Sequence, residues 1–270
     1  NLPLESFIMP RIQKEWKLKQ QVPPEIELVL GTDKLEAQLL FGRGIRSLQE
    51  RSEFLEDLAG PYHDPFLLPH MDQAITRLVQ AINNNERIGI FGDFDVDGIT
   101  ATAILVHGLK TLEAKLAPYI PHRVEEGHGL NSDAIHLLHK SGVKLLITVD
   151  CGITSVLEVA QASDLNMDVI ITDHHSPPPN LPSAHSLVDP KLEDSRYPFS
   201  ELTGAGLALK LMDALYQKLK IDLAPGLRGV AAMGTIADIA PPIDENRTIV
   251  KQGLMELKSA PFQGMQDPPR

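Results

Sequence analysis

From residue 87 onward, short apolar runs alternate with amphipathic segments. The runs at 88–91, 144–149 and 168–172 are too short for helices and rich in branched residues, so they predict strands. A weaker strand is expected at 116–120 and a short one at 186–188. The intervening pattern predicts helices at 98–112, 132–140, 154–162, 202–219 and 227–236, with Ser132 as the N-cap of the second. Strand and helix in repetition imply right-handed crossovers, hence an α/β fold with a mainly parallel sheet and helices on both faces. Upstream, Met71, Ile75, Leu78, Val79 and Ile82 recur at helical spacing, and Pro23-Pro24 and Asp64-Pro65 mark turns. Residues 1–86 thus predict a mostly helical N-terminal lead-in, 87–255 the principal domain, and 256–270 a linker. No internal repeat is evident. Pro177-Pro178-Pro179 is a stiff loop just after a histidine pair.

Three of the predicted strands run straight into chemistry. Residues 88–91 lead into Gly92-Asp93-Phe94-Asp95-Val96-Asp97-Gly98, 144–149 into Asp150-Cys151-Gly152, and 168–172 into Asp173-His174-His175. Ligands of an open parallel sheet bind outside the carboxyl ends of its strands, so these residues converge on one edge. A fourth cluster, Gly234-Thr235-Ile236-Ala237-Asp238, ends a later helix and can reach the same place. Carboxylates mixed with imidazoles suit Mn²⁺ or Mg²⁺. So many acids around one cleft stay ionised only beside a compensating cation. Gly92, Gly98 and Gly152 permit sharp turns and close approach of backbone to a ligand.

Each piece has a plainer explanation when taken alone. An aspartate after a strand is commonly a helix N-cap, paired histidines are often surface residues, and Arg123 can be a solvated loop arginine. Cys151 is a small packing residue, and its place next to Asp150 does not make it a nucleophile. The plain explanations weaken because the clusters follow consecutive strong strand signals.

Composition narrows the picture further. The 270 residues carry 25 Lys and Arg against 36 Asp and Glu, a net charge of −11. That balance excludes nucleic-acid binding through bulk positive charge, and by itself favours a small-molecule enzyme. It is compatible with an enzyme that holds cations, which offset the acids locally. No apolar run is long enough to span a bilayer, so no membrane partner is expected. One cysteine, Cys151, allows no intrachain disulfide. With no secretory signal at the N-terminus, a reducing compartment, the cytoplasm, is expected. The chain begins without Met, as a fragment or processed product does.

Residues 92–98 (GDFDVDG) with Ile99-Thr100-Ala101-Thr102-Ala103 resemble the first signature of the DHH phosphoesterases. Val149-Asp150-Cys151-Gly152 resembles the second, and Asp173-His174-His175 is the tripeptide that names the superfamily. Residues 234–239 resemble the fourth. All occur in family order. Residues 121–130 (PHRVEEGHGL) and 202–211 (LTGAGLALKL) resemble the RecJ-type single-strand-specific exonucleases.

The resemblance implies a centre of two divalent cations, Mn²⁺ or Mg²⁺, with Asp95, Asp97, Asp150, His174 and Asp238 as ligands and Asp150 as the bridge. It places His175 beside the metals on the scissile phosphate and Arg123 on a substrate phosphate. Some relatives carry a histidine where Phe91 stands, a departure that either leaves Asp93 to help hold one ion or leaves that site weaker. The expected activity is metal-dependent 5′→3′ hydrolysis of single-stranded DNA, in repair and recombination; polarity and DNA preference come from the resemblance alone. The alternatives are a short-oligonucleotide or cyclic-dinucleotide phosphodiesterase, and a non-catalytic replication scaffold of the same fold. RecJ-like proteins continue into a closing domain with a Gly-Gly-His signature and an OB-fold. Neither is found here, so the chain is expected to be a catalytic core with weak, poorly processive activity. Single-stranded DNA is the expected partner, and protein partners are not specified.

Overall fold

The computed structural model describes Lys17 and residues 20–55 and 60–259. The chain divides into two compact units between Asp57 and Leu58. In the first, helices α1 (Pro24–Leu30), α2 (Lys34–Phe41) and α3 (Leu48–Leu55) gather around Val22, Leu30, Ala37, Leu40 and Ile45. Asp33 caps α2 by accepting the Leu35 and Glu36 N–H groups.

The second unit holds the sheet. A 3₁₀ turn at Pro65–Leu67 leads to α4 (Met71–Asn83), and the order continues β1 (Arg87–Gly92), α5 (Val96–Lys110), β2 (Lys115–Tyr119), α6 (Ser132–Lys140), β3 (Val143–Val149), α7 (Val156–Asp164), β4 (Asp168–Thr172), β5 (Ser186–Val188), α8 (Gly204–Leu219), α9 (Leu227–Ala237) and α10 (Asp244–Ser259). The five strands pair in parallel in the order β2-β1-β3-β4-β5. The chain moves outward from β1 to β2, then returns to β3 on the other side of β1. That reversal opens a crevice at the carboxyl ends of β1 and β3.

Both faces of the sheet are covered, as expected. Ile88, Ile90, Leu145, Ile147, Val149 and Ile170 point into a core with α4, α5, α8 and α9. Phe91, Leu146, Val169 and Ile171 point the other way, onto Ala134, Ile135 and Leu138 of α6 and Val159 and Ala162 of α7. Alternate residues of one strand thus serve opposite layers. The boundary expected at 86 falls between α4 and β1, whereas the compact units divide earlier. Met71, Ala74, Ile75, Leu78 and Ala81 of α4 are buried in the sheet's own core, and Arg77 bonds Asp168 at the start of β4 (2.6 Å).

Two local expectations are corrected. The cap of α6 is Asn131, whose side chain accepts the Ala134 N–H at 2.8 Å; Ser132 instead accepts a hydrogen bond from Gln161. The helix α10 carried no sequence signal, because its buried face is mainly polar or small: Glu245, Asn246, Thr248, Ile249 and Gly253. It also runs through the start of the expected linker to Ser259; residues 260–270 lie outside the described residues. Among the described residues no helix is long and apolar enough to cross a membrane.

A buried ion pair holds α10 to α8. Lys210 and Glu245 are both fully buried, with Nζ 2.7 Å from Oε1. Glu245 also accepts from the Tyr197 hydroxyl and the His63 N–H, and Lys210 donates to the His63 carbonyl and sits 3.7 Å over the Tyr62 ring. Burial drives the Lys210 pKa down, against the pull of Glu245. Removing one partner strands the other charge, so Glu245→Ala should destabilise the protein by about 3–5 kcal/mol in urea unfolding. A loss under about 1 kcal/mol would show that the cluster does not hold α10 in place.

Candidate metal centre

The pairing register lines up four acids. Gly92 pairs with Val149, Val149 with Thr172, and Thr172 with Val188. The next residue of each strand is an aspartate: Asp93, Asp150, Asp173 and Asp189. All four are buried, at 6%, 2%, 1% and 0% exposure, which makes each costly unless hydrogen-bonded or paired.

Asp173 is the best satisfied. Its Oδ2 accepts the Ile153 N–H at 2.9 Å, and its Oδ1 faces the His174 N–H (2.8 Å), the His175 N–H (3.1 Å) and His175 Nδ1 (2.7 Å). Burial opposes ionisation, but these bonds win and hold its pKa below the usual value. The same contact raises the His175 pKa to about 9. Asp93 lies 2.9 Å from His128 Nδ1 and accepts the Phe94 N–H at 2.8 Å.

Asp97 comes from the first turn of α5 and is gripped by the start of α8. Its Oδ2 accepts the Gly204 N–H at 2.6 Å and its Oδ1 the Ala205 N–H at 2.9 Å. A helix N-terminus suits an anion, and each oxygen keeps a second lone pair. The approach requires glycine: a Cβ on Gly204 would lie 2.5 Å from the Asp150 Cβ and 2.9 Å from Asp97 Oδ2.

Asp150 is the least compensated. Its backbone is left-handed, with φ at 60°, a conformation that costs a non-glycine residue about 1–3 kcal/mol and clusters at functional sites. His174 Nε2 lies 3.0 Å from its Oδ1 and 3.7 Å from Asp97 Oδ2. Burial, then the charges of Asp97 and Asp95, push the Asp150 carboxyl up to about 10. Burial likewise raises Asp97. These carboxylates can all ionise only with a cation among them.

Among the described residues three donor sets could hold one: Asp93, Asp95 and Asp150; Asp150, His174 and His175; and Asp97, His174 and Asp238. Within each set the ligand atoms all lie within 4.8 Å of one another. The profile of the "DHH family, N-terminal domain" matches residues 87–235. The chain belongs to the DHH family.

Within that family it is 42% identical over 233 residues to the single-stranded-DNA-specific exonuclease RecJ of Bacillus subtilis, covering 86% of this chain and 29% of that protein. Among solved structures, an exonuclease RecJ bound to manganese aligns with a TM-score of 0.66 at 39% identity, over 72% of this chain and 49% of the other. RecJ of Thermus thermophilus, in complex with Mn²⁺, aligns with a TM-score of 0.75 at 32% identity, over 92% and 36%. The chain therefore spans well under half the length of the Bacillus and Thermus proteins.

Every carboxylate and imidazole expected from the DHH-family resemblance enters a donor set at this edge. Asp95, Asp97, Asp150, His174 and Asp238 each enter a donor set, as do Asp93 and His175. Asp95 is also the N-cap of α5, accepting the Gly98 N–H, so the plain explanation holds for it without excluding a second use. Arg123 is exposed, with its guanidinium 5.3 Å over the ring of Phe94, the residue between Asp93 and Asp95. Phe94 also contacts the His128 ring, at 4.2 Å between centroids. Cys151 is buried in the core, and burial with the adjacent acids raises its thiol pKa, so it is no thiolate. Phe91 is a core residue stacked on Tyr119. Sequence reasoning missed His128, Asp189, and the part of Asp173 as the anchor of His175. The signal for Asp173 and Asp189 was the one used for Asp150, an acid directly after a strand.

Gly204→Ala should overpack this edge and cost about 1–3 kcal/mol in urea unfolding. A change below about 0.5 kcal/mol would show that Asp97 and Asp150 yield freely.

Proposed function

We propose that this chain is the catalytic core of a divalent-cation-dependent phosphodiesterase, a RecJ-type exonuclease that degrades single-stranded DNA from the 5′ end. The observation that carries the reading is that Asp150 shares one donor set with Asp93 and Asp95 and another with His174, which in turn shares a set with Asp97 and Asp238. Asp150 thus stands between two groups of donors, as a carboxylate shared by two ions would. The donor chemistry fits the group: five acids with two imidazoles suit Mn²⁺, and the oxygen donors suit Mg²⁺. Its similarity to RecJ exonucleases, including one bound to manganese, supports the same assignment.

In this reading Asp93 and Asp95 would hold one ion and Asp97, His174 and Asp238 the other, with Asp150 available to both. Such ions, when bound, polarise phosphoryl oxygens and lower the pKa of a coordinated water. His175 has its Nδ1 tied to Asp173, which leaves Nε2 as the ring atom to meet a phosphate oxygen. Arg123, stacked on the Phe94 ring that also contacts His128, grips a phosphate of the strand, for which a planar two-pronged donor is suited. The net charge of −11 means that this grip is local. Retention of all five expected acid and histidine ligands favours an enzyme over a scaffold.

Single strands labelled at the 5′ or 3′ end, incubated with and without Mn²⁺, test the activity and its polarity. Asp150→Ala should abolish Mn²⁺-dependent hydrolysis, and anomalous scattering from a Mn²⁺-soaked crystal should place ions beside Asp150. Absence of metal there would sink the assignment. Arg123→Ala should slow cleavage by one to two decades, the equivalent of a lost charge-assisted contact of about 1.5–3 kcal/mol. An unchanged rate would remove Arg123 from the phosphate site.

A further inference from the structure

Arg123 and His128 both belong to the loop between β2 and α6, and that loop reaches the metal centre at two points. The Arg123 guanidinium lies 5.3 Å over the Phe94 ring, and the His128 ring lies 4.2 Å from the same ring between centroids. His128 also sets its Nδ1 2.9 Å from Asp93 Oδ2. Apolar packing does not fix these positions. Pro121 and Leu130 are buried, but no residue from 122 to 129 is, and Val124 is 86% exposed. Gly127 and Gly129 have left-handed φ angles, and a Cβ on either would meet open space, so glycine serves the backbone shape alone. A segment with so few buried contacts opens easily unless hydrogen bonds hold it.

Those bonds converge on Glu126. Its Oε1 accepts the His122 N–H at 2.7 Å, and its own N–H donates to the His122 carbonyl at 2.9 Å. Its Oε2 accepts the Tyr119 hydroxyl at 2.6 Å and the Asn131 amide at 3.2 Å. Tyr119 ends β2 and stacks on Phe91 of β1, at 5.6 Å and 14° between the rings. Asn131 caps α6 through its side-chain oxygen. One carboxylate therefore ties the strand before the loop, the helix after it and the backbone at His122 to one another, and Arg123 is the next residue. An ionised carboxylate is acceptor-only, so it can take all these donors at once, and each bond is of the stronger, charge-assisted kind.

We propose that Glu126 is a positioning residue that presets this loop, so that Arg123 meets a phosphate of the strand without first having to be ordered. The role rests on the phosphate grip proposed for Arg123 in the preceding section. Side chains on a flexible loop must be immobilised when a ligand binds, and a loop already in place avoids that cost. Glu126 acts through Arg123, so its loss falls on strand binding and not on the chemical step.

Amide hydrogen exchange in the metal-free protein reads the loop itself. The His122 and Glu126 N–H groups should be protected in the wild type and exchange faster in Glu126→Ala. Unprotected wild-type amides overturn the proposal whatever the site binds. Cleavage of a labelled single strand with Mn²⁺ reads the consequence, with circular dichroism to confirm folding. Glu126→Ala should raise KM about 3- to 10-fold with kcat unchanged, and Glu126→Gln, which keeps one acceptor oxygen, should recover part of the loss. In an Arg123→Ala background the same change should add little, whereas a merely structural loss would add in full. Tyr119→Phe, which drops one donor and keeps the stack on Phe91, carries the same test if Glu126→Ala does not fold. A wild-type KM in folded Glu126→Ala, a loss confined to kcat, or full additivity with Arg123→Ala overturns the proposal. A wild type that cleaves no strand instead fails the phosphodiesterase reading, and this role falls with it.

Discussion

Like charges crowded into a buried edge repel, and at an effective dielectric of about 20 two unit charges about 4 Å apart cost about 4 kcal/mol. Asp93, Asp97, Asp150, Asp173 and Asp189 are buried together at the ends of neighbouring elements, and much of the second unit is arranged to make that tolerable. Asp173 takes three N–H groups and an imidazole. Asp97 takes two N–H groups from the start of α8. A charge-assisted hydrogen bond is worth about 1.5–3 kcal/mol and a helix terminus about 0.3–1 kcal/mol. These can hold one carboxylate each. They cannot also neutralise Asp150, which carries a left-handed backbone as well. What remains is a concentrated negative charge with imidazoles at its border, and that is what a divalent-cation site is before the cation arrives.

The second dependence runs through α8. Its first turn grips Asp97 and leaves room for Asp150 only because residue 204 is glycine. Its middle carries Lys210, locked to Glu245 of α10. The helix is therefore fixed at two points, one in the site and one in a buried polar cluster that takes in residues 62–63 and Tyr197. Hydrogen bonds to fully buried charges are directional, so this cluster sets the position of α8 more closely than an apolar contact would.

The amino-acid sequence by itself determined the layered α/β plan. Short apolar runs at 88–91, 144–149 and 168–172 are strands because alternate side chains face helices on opposite sides, as the clusters around Ile90 and Phe91 show. It also determined most of the acid set, since aspartates placed directly after strands must gather at one edge of a parallel sheet. Helix α10 was illegible because its buried face is built from Glu245, Asn246 and Thr248, and such residues carry no apolar periodicity. Three things were decided only by the tertiary structure: the register that sets Asp189 level with Asp150, the grip of α8 on Asp97, and the pairing of Asp93 with His128. Each joins residues distant in the chain, and their partners are fixed by how strands pair and how a helix end docks. Local pattern carries no information about either.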